Sequence, residues 1–528
     1  MTLVFLKKLW APSTASVGSY FFLLLAQPPM KSPECAYFFL LPAMTWFSYK
    51  PKLRTVIIAF FTAGVLYHLS LVGWMRHISI GGLFSTSMIL SIYFLPWFIL
   101  ARLMTPWALR GAFKSRILTI IGLSSAWVSI EWLRCQFTLG FPWCPLSVTQ
   151  WERPVLLQTA QWLGSWGVSF FLVLFNLCLC SYLHHLLVRR KEMRRGLMGN
   201  VCPDFYLAIL VFIFMLSPFF LFQNRGSGVV KKFNVGLCQP YLREKWKGGN
   251  AGIHKDTLSR QTSFLGLMNP DFIVWPEAST PYALNQDSAW VEGLATQSKT
   301  PLLIGAVLRD ADSIYNTISE ILPDTGFENN WYAKRILVPF GEYVPFPFKW
   351  IPSLRKLVGP IGSFKEGQDV KTFTLKSKHA SSDLLKVGPL ICYEDIFPSL
   401  CRDIALSGVD LFFVSTNDAW FGEEGCAEQH AAHSVMRAIE TQKNFLRCGN
   451  AGWSGWIDHN GYQREVLRDE NGSIYFEGAT IFNISVPSQS TKSASFYTIH
   501  GDWFAYICLG ITGFLCVLVF KNRSKAYF

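Results

Sequence analysis

Long apolar stretches at both ends of the chain limit most strongly what this sequence can form. Hydrophobic residues make up 51% of the 528 residues, and they concentrate in residues 1–222 and again in 503–520. A helix that crosses a membrane needs roughly 20 mostly apolar residues in succession. A soluble chain of this length would be more polar. The sequence therefore predicts a polytopic α-helical membrane bundle.

We predict about eight membrane spans. Five internal stretches and one near the C-terminus are long and apolar, whereas the two earliest stretches are shorter and contain proline. In chain order the predicted spans cover about 10–26, 35–49, 55–75, 80–101, 117–133, 163–187, 205–222 and 503–520.

Basic residues indicate which loops of this bundle face the cytoplasm. With a cytoplasmic N-terminus, the inside segments contain 17 Lys and Arg residues, and the short outside loops contain only four. The positive-inside rule demands this asymmetry. It predicts that residues 223–502 lie outside the cytoplasm. In a bacterium this means an inner-membrane protein with a periplasmic domain.

The same charge distribution argues against nucleic acid as a partner. The whole chain has a formal charge of +13, but residues 1–222 and 521–528 together carry 21 basic and 5 acidic residues, or +16. The remaining residues are therefore slightly acidic, at about −3, and lack the basic stripe of a nucleic-acid binder.

The region between the apolar parts is expected to be one α/β domain. Short apolar runs that end at polar residues predict strands at 233–238, 272–275, 302–307, 387–392 and 411–415, and a helical pattern covers 428–446. Strands alternating with helices indicate a central sheet. We predict three parts: a membrane domain of about seven spans (1–222), the α/β domain outside the cytoplasm (223–502), and a final span with a cytoplasmic tail (503–528).

Three of the segments in this region end in a reactive side chain: Glu277, Lys334 and Cys392. Taken singly, each has an ordinary explanation, since a carboxylate or lysine is usually solvated and a free cysteine is usually a small hydrophobe. Together they offer a base, a cation and a thiol. A thiol nucleophile needs a base, and the intermediate that it forms needs a positive group or hydrogen-bond donors at its oxyanion.

At these residues the sequence resembles a known family. Trp-Pro-Glu at 275–277, the run Tyr-Ala-Lys-Arg-Ile-Leu-Val-Pro-Phe-Gly-Glu-Tyr from 332, and Gly-Pro-Leu-Ile-Cys-Tyr-Glu-Asp from 388 are similar to motifs of the nitrilase (carbon–nitrogen hydrolase) superfamily. Within it, the match is to the bacterial apolipoprotein N-acyltransferases, which join a multi-span bundle, a periplasmic nitrilase domain of αββα type and one C-terminal span.

Further motifs agree with this resemblance, which covers nearly the whole chain. They are Glu-Trp-Leu-Arg from 131 with Gly-Phe-Pro-Trp from 140, Asn-Asp-Ala-Trp-Phe-Gly from 417, and Arg447 with Asn450 and Gly452. Cys135 departs from the pattern, because a glycine is expected after the Glu-Trp-Leu-Arg run.

The resemblance implies a two-step acyl transfer. Cys392 would take an acyl group from a membrane phospholipid as a thioester and pass it to the N-terminal amine of a diacylated apolipoprotein. Glu277 would be the general base, and Lys334 would stabilise the oxyanion. Supporting roles fall to Glu342, Tyr393 and Glu394, and substrate contacts to Trp246, Asn316, Trp420 and Phe421. No cofactor or metal is expected, and the protein is expected to be a monomer.

Two other functions fit parts of the sequence. The same three residues could serve a membrane-tethered amidase acting on a small amide. A transporter with an extracytoplasmic binding domain is a different class, but apart from Glu131 the charged residues fall at span ends, whereas transporters often carry ionisable groups within the membrane. The spacing of His430 and His433 suits helix-face metal ligands, but no third ligand is evident.

Residues 344–364 form an apolar, proline-rich segment directly after Glu342. We expect it to lie at the membrane surface and to act as a lid over the site, with Trp350 at the bilayer interface. The alternative is an ordinary loop with a core patch.

Overall fold

A computed structural model describes residues 12–136, 141–189, 202–222, 230–242, 250–346, 350, 364–380, 383–487 and 494–524. The chain divides into two compact units. The helical unit contains residues 1–223 and 500–528, and the α/β unit contains residues 224–499.

The helical unit is built from apolar helices. Five of those in the described residues are long and apolar enough to cross a membrane: Leu53–Leu71, Ile80–Arg110, Phe113–Gln136, Ala160–Val188 and Pro203–Phe220. These helices confirm five of the predicted apolar spans. Pro12–Ala26 and Trp503–Val519 are shorter apolar helices. In chain order the helices are α1 (Pro12–Ala26), α2 (Leu41–Phe47), α3 (Leu53–Leu71), α4 (Ile80–Arg110), α5 (Phe113–Gln136), α6 (Pro154–Leu157), α7 (Ala160–His184) and α8 (Pro203–Phe222), with α14 (Trp503–Ser524) near the C-terminus.

The predicted span 35–49 is not one continuous helix. A 3-10 turn covers Pro33–Tyr37, and α2 follows as a separate helix of seven residues. At 1.5 Å per residue α2 is only about 10 Å long, too short to cross a hydrocarbon core by itself.

Asn176 of α7 satisfies the backbone at the break between these two pieces. Its Nδ2 donates to the carbonyl of Ala36 at 2.8 Å, and its Oδ1 accepts from the N–H of Leu40 at 3.1 Å. Asn176 is completely buried. Irregular backbone at membrane depth is tolerated where protein groups replace the lost hydrogen bonds, so Asn176 allows a broken helix at this point.

The Glu-Trp-Leu-Arg motif joins α5 to the segment that follows it. One oxygen of the buried Glu131 accepts from the Trp127 indole at 3.0 Å and from the N–H of Leu146 at 2.7 Å. Arg134 donates to the carbonyl of Trp143 at 3.2 Å. The charged residues of the motif therefore anchor a local chain crossing.

The described residues of the α/β unit form two six-stranded sheets of the same design. Each has three parallel strands at its centre and antiparallel strands outside them. Sheet 1 has the order β12-β1-β2-β3-β4-β5, and sheet 2 has the order β11-β10-β9-β8-β7-β6. The strands are β1 (Val230–Gln239), β2 (Phe272–Trp275), β3 (Leu302–Asp310), β4 (Ser313–Ile321), β5 (Trp331–Ala333), β6 (Phe373–Lys376), β7 (Leu384–Ile391), β8 (Leu411–Thr416), β9 (Asn444–Gly449), β10 (Gly455–Ile457), β11 (Gln463–Val466) and β12 (Gly478–Pro487).

Apolar side chains from both sheets form one core between them. Phe233 and Val274 of sheet 1 and Val387 and Phe413 of sheet 2 belong to this core. A second cluster lies between sheet 1 and the helices that cover its outer face. The helices of this unit are α9 (Ala251–Leu267), α10 (Ser288–Ser298), α11 (Pro398–Leu406) and α12 (Cys426–Thr441); α13 (Phe496–His500) precedes α14. Strands covered on both faces are continuously apolar, as the fully buried β2 shows.

The five predicted strands are present, but the predicted helix 428–446 is too long. Helix α12 ends at Thr441, because Gln442 adopts a left-handed conformation with φ of 55°. The residues from Asn444 onward form β9, which pairs with β8 and β10. The pairing of β9 in the sheet overrides the helical pattern of its sequence.

We predict that Asn176→Leu destabilises the helical unit by about 2 kcal/mol or more. The change leaves the buried Ala36 carbonyl and Leu40 N–H without their partner, and each unsatisfied buried group costs roughly 1–3 kcal/mol. Thermal unfolding of the protein in detergent measures the effect.

Cys180→Ala, one turn further along α7, is the control, because it shortens a buried side chain without touching the break. It should lower the melting temperature much less. Equal losses in the two variants would mean that Asn176 contributes packing only.

Candidate active site

The sheet topology brings the predicted reactive residues to strand ends. Glu277 follows β2, and Lys334 follows β5, which runs in the same direction because β4 lies antiparallel between β3 and β5. Cys392 follows β7 of the second sheet. Polar groups just beyond the carboxyl ends of parallel strands are favoured places for chemistry, and here the two packed sheets share one such place.

The turn that carries Glu277 lies against a glycine of the neighbouring strand. A Cβ at Gly305 would come within 2.4 Å of the Pro276 carbonyl oxygen and 2.6 Å of the Glu277 Cα. The Gly305 carbonyl also accepts from the N–H of Ser279 at 2.7 Å. The close approach therefore requires glycine at position 305.

Lys334 is a buried cation between two carboxylates. Its Nζ lies 2.9 Å from Oε1 of Glu342 and 3.6 Å from Oε1 of Glu277, and its side chain is only 1% exposed. Burial opposes the charge on Lys334, but the nearby negative charges, that of Glu342 first and that of Glu277 as well, outweigh it and raise the lysine pKa well above its usual value. Lys334 is therefore a permanent positive charge beside the thiol.

Asn316 of β4 joins the same two carboxylates. Its Nδ2 donates to Oε1 of Glu277 at 2.7 Å and to Oε1 of Glu342 at 3.1 Å. The carbonyl of Asn316 also accepts from the N–H of Lys334 at 2.8 Å. Asn316 was predicted at a substrate cleft, and the structure places it inside the network that orients Glu277 and Lys334.

Glu342 is held from its own loop as well. Its second oxygen accepts from the N–H of Val338 at 2.8 Å. With one oxygen on Lys334 and the other on the backbone, Glu342 is fixed in orientation and fixes the lysine in turn.

Cys392 occupies a sharp turn. Its φ is 54°, in the left-handed region that residues other than glycine rarely adopt. Burial and the negative charge of Glu277 raise the pKa of the Cys392 thiol well above its usual value, and Lys334 offsets this only in part. The resting thiol is therefore protonated, and it needs a base to become a nucleophile.

Glu394 fixes the Cys392 turn to the loop that carries Lys334. Its carboxylate is completely buried, and burial raises the pKa of Glu394 to about 7, although backbone donors and Lys334 oppose the shift. The carboxylate accepts from four donors on β5, on the loop after β5 and on β7: the Tyr332 hydroxyl at 3.0 Å and the N–H groups of Arg335 at 2.6 Å, Ile336 at 3.1 Å and Ile391 at 2.7 Å.

Tyr393 packs beside the lysine. Lys334 Nζ lies 5.3 Å from the centre of the Tyr393 ring, and the tyrosine hydroxyl donates to the carbonyl of Leu337 at 2.5 Å. The side chain of Tyr393 thus supports the Lys334 loop. Its backbone N–H, directly after Cys392, is the group suited to an oxyanion.

A second buried network beneath the Cys392 turn was missed by the sequence analysis. Asp395 accepts from Ser434, Arg447 and His430, and His430 also contacts Asp418. All of these residues except Ser434 appear in motifs or patterns noted in the sequence. Their mutual contact is not visible there, because they come from four separate segments.

The remaining predicted residues are placed less fully. Trp420 and Phe421 lie on the 3-10 turn Asp418–Phe421 after β8, with Trp420 47% exposed. Trp246 lies outside the described residues, as does most of the segment 344–364. Among the residues of that segment that the structure describes, Phe346 and Trp350 are both two-thirds exposed.

This arrangement is suited to nucleophilic acyl chemistry. Glu277 can accept the thiol proton, Lys334 can stabilise negative charge on an oxygen, and Cys392 can form the covalent bond. All three belong to one chain; Glu277 and Lys334 are buried, and Cys392 is partly buried.

Comparisons with known proteins agree with both units. Residues 19–178 match the model of the apolipoprotein N-acyltransferase N-terminal domain, and residues 265–482 match the carbon–nitrogen hydrolase model.

Curated relatives match over most of their length. An apolipoprotein N-acyltransferase of Geobacter metallireducens is 29% identical over 483 residues, covering 88% of this chain and 85% of the relative. One from Chlorobaculum tepidum is 27% identical, covering 78% of each. Among solved structures, a carbon–nitrogen hydrolase superfamily protein from Xanthomonas campestris is 17% identical with a TM-score of 0.36, covering 49% of this chain and 92% of that protein.

We predict that Glu394→Gln lowers the free energy of unfolding of the α/β unit by about 2–4 kcal/mol. The new amide group faces backbone N–H donors, and unsatisfied buried donors cost roughly 1–3 kcal/mol each. Chemical denaturation followed by tryptophan fluorescence measures the loss.

Glu320→Gln is the matched control, because Glu320 on β4 is also a buried carboxylate but takes one side-chain hydrogen bond, from Asn330. It should be destabilised far less. Similar losses would show that Glu394 does not join the two sheets.

Proposed function

Because the chain belongs to the apolipoprotein N-acyltransferase family, we propose that it acylates the N-terminus of lipoproteins through a thioester on Cys392. The observation that supports this mechanism is the convergence of Glu277, Lys334 and Cys392 at neighbouring strand ends. The thiol is protonated at rest, a carboxylate lies within its electrostatic reach, and a buried ammonium stands beside both.

In the first step, Glu277 takes the proton from Cys392, and the sulfur attacks an ester carbonyl of a phospholipid. The negative oxygen of the tetrahedral intermediate is stabilised by Lys334 and by the N–H of Tyr393. When the ester bond breaks, Glu277 returns the proton to the leaving alkoxide, so that the lysophospholipid departs as an alcohol.

In the second step, the α-amino group of an S-diacylglyceryl cysteine attacks the thioester. Glu277 accepts a proton from this amine, and the same two groups stabilise the oxyanion. The carbon–sulfur bond then breaks, the amide is complete, and the proton returns to the sulfur. Glu277 thus serves both steps as base and acid.

A membrane phospholipid is the donor that the helical unit favours. Diacyl lipids are nearly absent from water, so an enzyme that takes one must reach the bilayer. The exposed Trp420, Phe346 and Trp350, together with Phe421 and Trp246, would contact the acyl chains at the entrance. Since one chain contains the whole site, we propose that the protein acts as a monomer.

We propose a periplasmic position for residues 223–502 in the bacterial inner membrane. The distribution of basic residues supports it, with 1–222 forming about seven spans and 503–528 forming the last span and a cytoplasmic tail. In this proposal the broken helix at 33–47 provides the second of eight crossings.

We predict that phospholipid alone adds one acyl mass to the peptide that contains Cys392. The bond should be cleaved by neutral hydroxylamine, as expected of a thioester. Mass spectrometry of the purified protein, incubated with lipid and no acceptor, is the measurement.

Three variants serve as controls. Cys392→Ala should carry no label. Glu277→Gln and Lys334→Met should each prevent labelling, since loss of one group that stabilises an oxyanion raises the barrier by roughly 3–4 kcal/mol. Normal labelling of either variant would remove that residue from the first step, and acyl transfer by Cys392→Ala would exclude the thioester.

We predict that alkaline phosphatase is active when fused after about residue 225 and inactive when fused after about residue 195. The enzyme folds only outside the cytoplasm, so it reports the side of each fusion point. The opposite pattern would overturn the topology while leaving the chemistry of the site unaffected.

A further inference from the structure

His430 of α12 places both of its ring nitrogens against carboxylates. Nε2 lies 2.9 Å from Oδ1 of Asp395, and Nδ1 lies 3.1 Å from Oδ1 of Asp418. The residue is only 1% exposed. A neutral imidazole has one N–H, so one of its nitrogens would point a lone pair at a carboxylate oxygen. Only the imidazolium donates to both.

The charges around His430 also require the imidazolium form of its ring. Asp395 on the Cys392 turn, Asp418 after β8 and Arg447 on β9 are all buried and face the histidine. The two aspartates carry two negative charges and Arg447 carries one positive charge, so one negative charge remains. An imidazolium at His430 neutralises it. Burial and Arg447 oppose a charge on the ring, but the two aspartates outweigh them and raise the pKa of His430 to about 9.

This imidazolium also contacts the nucleophile turn. Nε2 of His430 lies 2.9 Å from Oδ1 of Asp395 and 3.2 Å from the carbonyl oxygen of Cys392, so the two acceptors share its one N–H. That carbonyl and the N–H of Tyr393 belong to one peptide group, which is planar and trans, so the two point in opposite directions. A donor that fixes the carbonyl therefore fixes the direction of the N–H. A charged donor also polarises the peptide and strengthens its N–H as a donor.

We infer that His430 is a positioning residue: as an imidazolium held by Asp395 and Asp418, it fixes the Cys392–Tyr393 peptide and aims the Tyr393 N–H at the oxyanion. This inference rests on the proposed role of Cys392 as nucleophile. His430 does not touch the substrate. Glu394 secures the same turn by accepting from the N–H of Ile391, the residue before Cys392. His430 secures it by contacting the carbonyl of Cys392 itself.

The test compares wild type, His430→Gln and His433→Gln as full-length protein in detergent. A water-soluble p-nitrophenyl ester and a phospholipid each serve as acyl donor, and the first-order rate of Cys392 acylation is measured. His430→Gln should slow acylation by either donor about 100-fold, as small displacements of a catalytic group do, with little change in donor KM. His433→Gln, also buried and one turn away, should acylate at nearly the wild-type rate. A wild-type rate in His430→Gln overturns the inference.

A double variant separates positioning from stability. His430→Gln with Asp418→Asn removes one positive and one negative charge, so the buried set is neutral again. The melting temperature should return toward that of wild type, while acylation stays slow because no charged donor holds the Cys392 carbonyl. Recovery of both would show that His430 only balances charge.

The protonation state provides a readout that does not use activity. The folded pKa of His430, about 9, lies above the ordinary value of 6.5, so its stabilising contribution is complete below pH 6.5 and disappears as the pH rises through about 9. The stability difference between wild type and His430→Gln should shrink over that interval. Nitrogen NMR of labelled histidine should show His430 protonated at pH 7.5, and a neutral ring would overturn the inference.

Failure of the proposed function gives a different result. If the ester acylates wild-type Cys392 but phospholipid does not, the assigned donor is wrong, and the ester rates alone decide the role of His430. If neither donor acylates Cys392, the residue is not the nucleophile, and the inference is overturned with it.

Discussion

One buried ammonium determines how the candidate active site is assembled. A lysine removed from water is stable only if negative groups and hydrogen bonds replace its hydration. Lys334 obtains these from Glu342 and Glu277, and Asn316 joins the two carboxylates to each other. Glu277 follows β2, Asn316 lies on β4, and Lys334 and Glu342 follow β5. The order of these strands in sheet 1 is therefore a condition for the charge cluster.

The Cys392 turn depends on a second set of buried charges. Glu394 and Asp395 are consecutive carboxylates on the Cys392 turn, and each is fully buried and extensively hydrogen-bonded. Glu394 joins the turn to sheet 1 and the Lys334 loop, whereas Asp395 joins it to α12 and β9. The unusual backbone of Cys392 is thus imposed from two directions, which is how strained conformations persist at functional sites.

The sequence predicted much of the fold and brought out the residues of the candidate site. Each part that it did not predict has a physical reason. Continuous apolar runs marked the buried parallel strands, and the polar residues that end them marked the site. The end of α12 was misplaced, because pairing of β9 with its neighbours decides the conformation of residues 444–446. The break in the helix near residue 40 could not be predicted, because Asn176, which satisfies the backbone groups at the break, is remote in sequence. The grouping of His430, Asp395 and Arg447 was hidden for the same reason.

The bond between Asn176 and the broken helix also bears on how the protein is made. Leu40 and Asn176 are 136 positions apart, so after Leu40 the ribosome must add a further 136 residues, about a quarter of the 528, before the partner of Leu40 exists. Until then the polar backbone near residue 40 must remain in contact with water, the insertion machinery or another polar surface. The second apolar segment can therefore settle into its final place only after α7 arrives, and integration of the helices cannot follow the simple order of the sequence.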